Sequence, residues 1–124
     1  MPLIYNHMVV DYKHQKKSDD LFHALADSTR RSIIRHTFES EHSVSDLARF
    51  YPMSFAAVQK HVAILERVGL VTKRRSGREQ LVRGNVLGIR EALGLLEQIE
   101  EVWCGRIDRM DEILAEDPKE GVTK

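Results

Sequence analysis

The side chains in this chain with the most to offer chemically form a short row around residue 60: Ser54, Ala56, Ala57, Gln59, Lys60 and Ala63. A glutamine can make paired hydrogen bonds with adenine, alanine can touch a thymine methyl, and lysine can meet guanine or a phosphate. Such residues act together only if one element presents them on one side. At about 3.6 residues per turn, with Val58 at the centre of a buried stripe, Val62, Leu65 and His61 fall close to that centre, and Phe55, Ala57, Ile64 and Val68 flank it. Ala56, Gln59, Lys60, Ala63 and Arg67 fall on the opposite side, which is flat, polar and cationic. Ser54 can cap the first turn and Gly69 can end the last. An ordinary amphipathic surface helix would show the same stripe, so the neighbouring residues have to decide.

Directly behind it, Leu70–Arg75 and Glu79–Arg83 are short β-prone runs joined by Ser76, Gly77 and Arg78. This spacing predicts a hairpin. Lys73, Arg74, Arg75, Arg78 and Arg83 make it cationic. Residues 53–83 hold seven Lys/Arg against two acids, whereas residues 84–124 hold five against ten, so the net charge of zero hides a dipolar layout. A basic hairpin behind a flat polar helix is the footprint expected of a nucleic-acid reader.

The elements that position this surface follow in order. Residues 1–17 read as an N-terminal arm, with Lys13–Lys17 as a polar link. Ser18, Asp19 and Asp20 read as the start of a first helix, Asp20–Ala26, carrying Leu21, Phe22 and Leu25 inward. Asp27 caps a second helix, Ser28–Glu39, with Ile33, Ile34 and Phe38 apolar. Arg30 and Arg31 oppose the dipole in its first turn, a cost of about a few tenths of a kcal/mol that a phosphate could offset, although a solvated surface arginine pair is an equally simple reading. Ser43 either pairs as a strand or caps a third helix, Ser45–Phe50. The Tyr51-Pro52-Met53 link then makes residues 45–67 a helix-turn-helix with the hairpin as its wing. From Asn85 a long helix runs to about Ala115, with Ile89, Leu93, Leu96, Ile99, Trp103, Ile107, Met110 and Leu114 repeating every three or four residues. That stripe is longer than a domain this small can bury, which points to a homodimer through Leu93, Leu96, Ile99, Trp103, Ile107 and Met110. Residues 18–115 therefore read as one winged helix-turn-helix domain with a C-terminal dimerisation helix, and residues 116–124 as a flexible tail.

Composition bounds the alternatives. With 124 residues, 42% apolar and 31% charged, the chain has the make-up of a soluble globular domain. Cys104 is the only cysteine, which excludes an internal disulfide and suits the reducing cytoplasm. No apolar run approaches the roughly 20 residues that span a bilayer, and the first residues lack the pattern of a secretion signal. No nucleophile–base or paired-carboxylate constellation suggests an enzyme, and no cofactor motif occurs. His7, His14, His23, His36, His42 and His61 show no paired ligand spacing.

Taken together, ALADSTRRSIIRHTFE, SVSDLARFYPMSFAAVQKHVAILERVGLV and TKRRSGREQLVRGN resemble the winged helix-turn-helix regulators of the ArsR family over about residues 20–85. The resemblance implies a mainly α fold with a β-hairpin wing, dimeric through the long terminal helix. It implies a repressor that binds a pseudo-palindromic operator on double-stranded DNA. The expected DNA-binding residues are Ser54, Ala56, Ala57, Gln59, Lys60 and His61, with Arg30, Arg31, Lys73, Arg74, Arg75 and Arg78. Members that sense arsenic or cadmium carry Cys-Val-Cys-Asp-Leu at the start of the third helix. Here Ser43-Val44-Ser45-Asp46-Leu47 stands instead, and serine is a poor ligand for soft metals. The long helix offers Asp108, Asp111 and Glu112 but no histidine, so the resemblance is to the subgroup without metal sites. No residue pattern identifies an inducer. The rival reading is a winged-helix protein-interaction module without specific DNA binding, which would be expected to lose the flat cationic face.

Overall fold

The computed structural model describes residues 2–116. Two units divide the chain, the first ending at Ala92 and the second beginning at Leu93.

In the first unit the helix boundaries follow local capping chemistry. α1 spans Pro2–Leu25. Asp27 starts α2, Ser28–Glu39, by accepting a hydrogen bond from the Arg30 backbone amide at 3.0 Å. That bond holds the Asp27 carboxyl below its ordinary range against an opposing desolvation, with the Arg30 charge adding to the lowering. Ser43 serves two purposes: it pairs in the short strand β1, His42–Ser43, and its hydroxyl accepts from Asp46 N at 3.0 Å to cap α3, Val44–Ala48. Ser54 caps α4, Phe55–Arg67, in the same way through Ala57 N at 3.1 Å. At the far end of α4, Leu70 N returns to Leu65 O and Gly69 N to Glu66 O, a Schellman arrangement with Gly69 at φ +83°.

β2, Val71–Ser76, and β3, Glu79–Gly84, form the hairpin, and β1 adds to β3, giving the antiparallel order β1-β3-β2. Ser76 pairs with Glu79, so the loop is Gly77-Arg78 alone, one residue shorter than the spacing suggested. Only Gly77 has positive φ there, at +62°, the pattern of a II′ turn. Asn85 then joins the hairpin to α5, Val86–Glu116: its side chain donates to Gly69 O at 2.8 Å and accepts from Leu87 N at 3.2 Å. Gly88 is required beside it, because a Cβ there would overlap the Gly69 carbonyl. Leu21, Ile33, Leu47, Val58, Val62, Leu65, Leu70, Val71 and Val82 are all but fully buried and form the core.

Three expectations need correction. The residues read as an arm and polar link are helical from Pro2 onward, in one helix with the segment expected to start at Ser18. Lys13, Gln15, Lys16 and Lys17 are exposed, and a solvated turn of helix has the same composition as a linker. Phe38 and Phe55, expected at or beside the core, are 44% and 46% exposed; Thr37 is buried instead, its hydroxyl donating to Ile33 O at 2.8 Å. Phe22 and Leu25 are only half-buried, and Ala24 takes the inward position.

In the second unit, Leu93–Glu116 of α5, every large apolar side chain described on its own merits but Leu95 is more than half exposed. Leu93, Leu96, Ile99, Val102, Trp103, Met110, Ile113 and Leu114 are between 51% and 66% exposed. Ile107, expected in the same stripe, lies among the residues whose side chains are not described.

Candidate nucleic-acid interface

α4 buries Val58, Val62 and Leu65 against the core and leaves Ser54, Ala56, Gln59, Lys60, Ala63 and Arg67 exposed, with Ala57 half-buried. The polar row anticipated from the helical period is therefore one open face. Gln59 has no side-chain partner among the described residues, so its amide is available to a ligand. Phe55 and Gln59 share a shallow hollow of about 170 Å³ with Ser45 of α3 and with Arg78, Glu79 and Gln80 of the hairpin. The helix face and the wing tip are thus one continuous surface.

The wing cations are not equivalent. Arg74 makes a two-pronged contact with Glu41, Nε to Oε2 at 2.9 Å and Nη2 to Oε1 at 2.8 Å. That contact holds the Glu41 carboxyl below the usual range. Lys73 pairs with Glu66 of α4 at 3.4 Å. Arg75 is exposed and reaches only back to Gly77 O, at 3.3 Å, and Arg78 stands exposed at the turn. Lys73 and Arg74 anchor the hairpin to the body, and Arg75, Arg78 and Arg83 are exposed.

The arginine pair of α2 separates in the same manner. Arg31 is exposed, with one donor on Leu25 O at 2.7 Å. Arg30 is 8% exposed, and its guanidinium donates to Ala24 O at 2.8 Å and His23 O at 3.2 Å, the last carbonyls of α1. Its Nη1 lies 3.2 Å from His61 Nδ1. A guanidinium has donors only, so in this contact Nδ1 is the acceptor. Arg30 thus ties the end of α1 to α4, and the dipole that its charge opposes at α2 is answered by the carbonyl end of α1. This placement removes Arg30 from the surface where a phosphate was expected to meet it. Sequence reading missed Glu41 and Glu66 as the anchors of the wing; partners 33 and 7 residues away across a fold leave no local signal.

These features have close relatives among known proteins. Residues 25–74 match a helix-turn-helix domain family. The HTH-type transcriptional regulator Rv2034 of Mycobacterium tuberculosis is 32% identical over 88 residues, covering 71% of this chain and 79% of that protein. An ArsR-like transcriptional regulator from Rhodococcus sp. RHA1 superposes with a TM-score of 0.71 at 30% identity, covering 82% of this chain and 95% of that one. The chain belongs to the ArsR family. This ArsR-family protein is a winged helix-turn-helix transcriptional regulator, with α3 and α4 as the helix-turn-helix and β2–β3 as the wing. A homodimeric winged helix-turn-helix DNA-binding domain, Mb0332 from Mycobacterium bovis, shares the fold at 22% identity and a TM-score of 0.60, covering 73% of this chain and 83% of that one. At the position of the family's thiolates, Ser43 is buried and committed to capping α3, and Ser45 lines the hollow beside Gln59.

Proposed function

We propose that this ArsR-family regulator is a repressor that binds a pseudo-palindromic operator as a homodimer. The observation that carries this reading is the continuous surface formed by the open face of α4 and the wing tip. Gln59, Lys60, Ala56, Ala57 and Ala63, with Ser54 at the helix start, line the major groove and read bases. Arg78 and Arg75 reach the backbone or the adjacent minor groove, and Arg31 takes a further phosphate. His61 and Arg30 support the reading helix from behind, and Lys73 and Arg74 hold the wing.

Two recognition helices about one helical turn apart are needed to read two half-sites. The exposed apolar stripe of α5, with Leu93, Leu96, Ile99, Trp103 and Met110, supports pairing there. Gly94 and Gly105 agree with it: a Cβ at either would meet nothing within 4 Å, so their Cα surface is open to a second helix. The homodimeric state of the Mycobacterium bovis domain points the same way. No helix among the described residues is long and apolar enough to cross a membrane, and the protein acts in the cytoplasm, without enzymatic activity.

A gel shift with the DNA upstream of the protein's own gene, against a scrambled duplex, tests the reading. A retarded band on the upstream DNA at concentrations where the scramble is unbound is expected. Equal affinity for both duplexes, or none for either, would leave the interaction-module alternative standing.

A further inference from the structure

The opposite end of α4 from its cap borders a groove that DNA reading does not use. A cavity of about 280 Å³ lies between α1, the last turn of α4 and the first turns of α5, lined by Lys13, Lys16, Lys17, Asp20, Leu21, Arg67, Val68 and Glu91. Two further hollows, of about 410 and 390 Å³, share Arg67 and Val68 with it. The floor is apolar: Leu21 is buried and Val68 half-buried. The rim carries four cations and two acids.

The pairing on the rim is incomplete. Lys17 meets Glu91 at 3.0 Å and Lys16 meets Asp20 at a loose 3.9 Å. Lys13 and Arg67 have no acidic partner among the described residues. Three of the carbonyls in the last turn of α4, those of Ile64, Leu65 and Glu66, are taken up by the amides of Val68, Leu70 and Gly69, which lessens their repulsion of an anion. An apolar floor with surplus positive charge at its edge suits a ligand with an apolar body and one anionic group.

We infer that this groove binds a small amphipathic organic anion, a carboxylate on an apolar chain, and that its occupancy regulates DNA binding. The anion meets Lys13 and Arg67 and competes with Glu91 for Lys17, the ion pair that links α1 to α5. Arg67 and Val68 end the same helix whose earlier turns carry Gln59 and Lys60, so displacement at one end changes how the other is presented. The binding half of this inference stands apart from the proposed function; the regulatory half rests on it.

Sodium octanoate is the probe, with octanol and sodium acetate as controls for an apolar body alone and a charge alone. Calorimetry on the full chain without DNA should show octanoate binding at least tenfold more tightly than either control. Lys13→Gln, at an exposed position where folding is not at risk, should weaken octanoate several-fold. Glu91→Gln should tighten it by removing the competitor for Lys17, a gain that damage to the fold would not produce. Equal binding of octanoate and octanol, or indifference to both substitutions, overturns the site. In a gel shift, octanoate at saturation should weaken operator binding about tenfold in the wild type and less in Lys13→Gln at the same concentration. An unchanged shift with octanoate bound overturns the regulatory role, whereas absence of any operator complex without octanoate would instead count against the proposed function.

Discussion

Neighbouring residues of the same type do different things in this protein. Arg30 and Arg31 are adjacent and chemically identical, yet a rotation of about 100° along the helix sends one inward to three acceptors and leaves the other in solvent. Arg30→Met should strand the Ala24 and His23 carbonyls and the His61 ring, costing on the order of 1–3 kcal/mol in urea denaturation. Because the Arg30 guanidinium is buried on protein acceptors, the salt dependence of DNA binding should keep its slope in this variant; a slope reduced by one with stability intact would restore it to the interface. Gln59 gives the complementary case. Its amide is exposed and unpartnered, so Gln59→Ala should leave stability unchanged and cost about 1–3 kcal/mol on the cognate operator, with little loss on random DNA. Equal losses on both duplexes would take Gln59 out of direct readout.

At the scale of elements, the wing carries fewer free charges than its sequence contains. Lys73 and Arg74 are paired with Glu66 and Glu41, so counterion release on DNA binding should draw on Arg75, Arg78 and Arg83 and not on all five wing cations. Arg78→Ala should weaken every duplex and lower the slope of log K against log salt by about one unit. Arg74→Ala should alter that slope less while loosening the hairpin; equal changes from the two would mean that Glu41 releases Arg74 to DNA. The helices with local punctuation were legible in the sequence. Asp27, Ser43 and Ser54 cap where their side chains predicted, and Gly69 ends α4, because a cap acts over three or four residues and leaves its mark there. α1 was not legible over its first half, since no cap or apolar period distinguishes Lys13–Lys17 from a linker. The polar face of α4 followed from the period alone, but Arg30, Lys73 and Arg74 are committed by partners that only the folded chain brings near.

For the molecule as a whole, the proposed homodimer rests on the exposed apolar stripe of α5. Leu96→Asp places a charge in the middle of it and should yield monomers by light scattering that bind a two-half-site operator poorly and single half-sites no worse than before. A Leu96→Asp protein that still scatters as a dimer would move the contact elsewhere. Leu96 is 52% exposed in the single chain, so the substitution should leave the fold of the monomer intact, checked by circular dichroism. In the proposed homodimer, such a face also makes the protein a gauge of its own abundance. Below the dissociation constant of the pair, mass action sets the amount of DNA-competent dimer by the square of the chain concentration. Halving the supply then cuts the dimer about fourfold, so growth and cell division alone can clear an operator that a monomeric binder would continue to occupy.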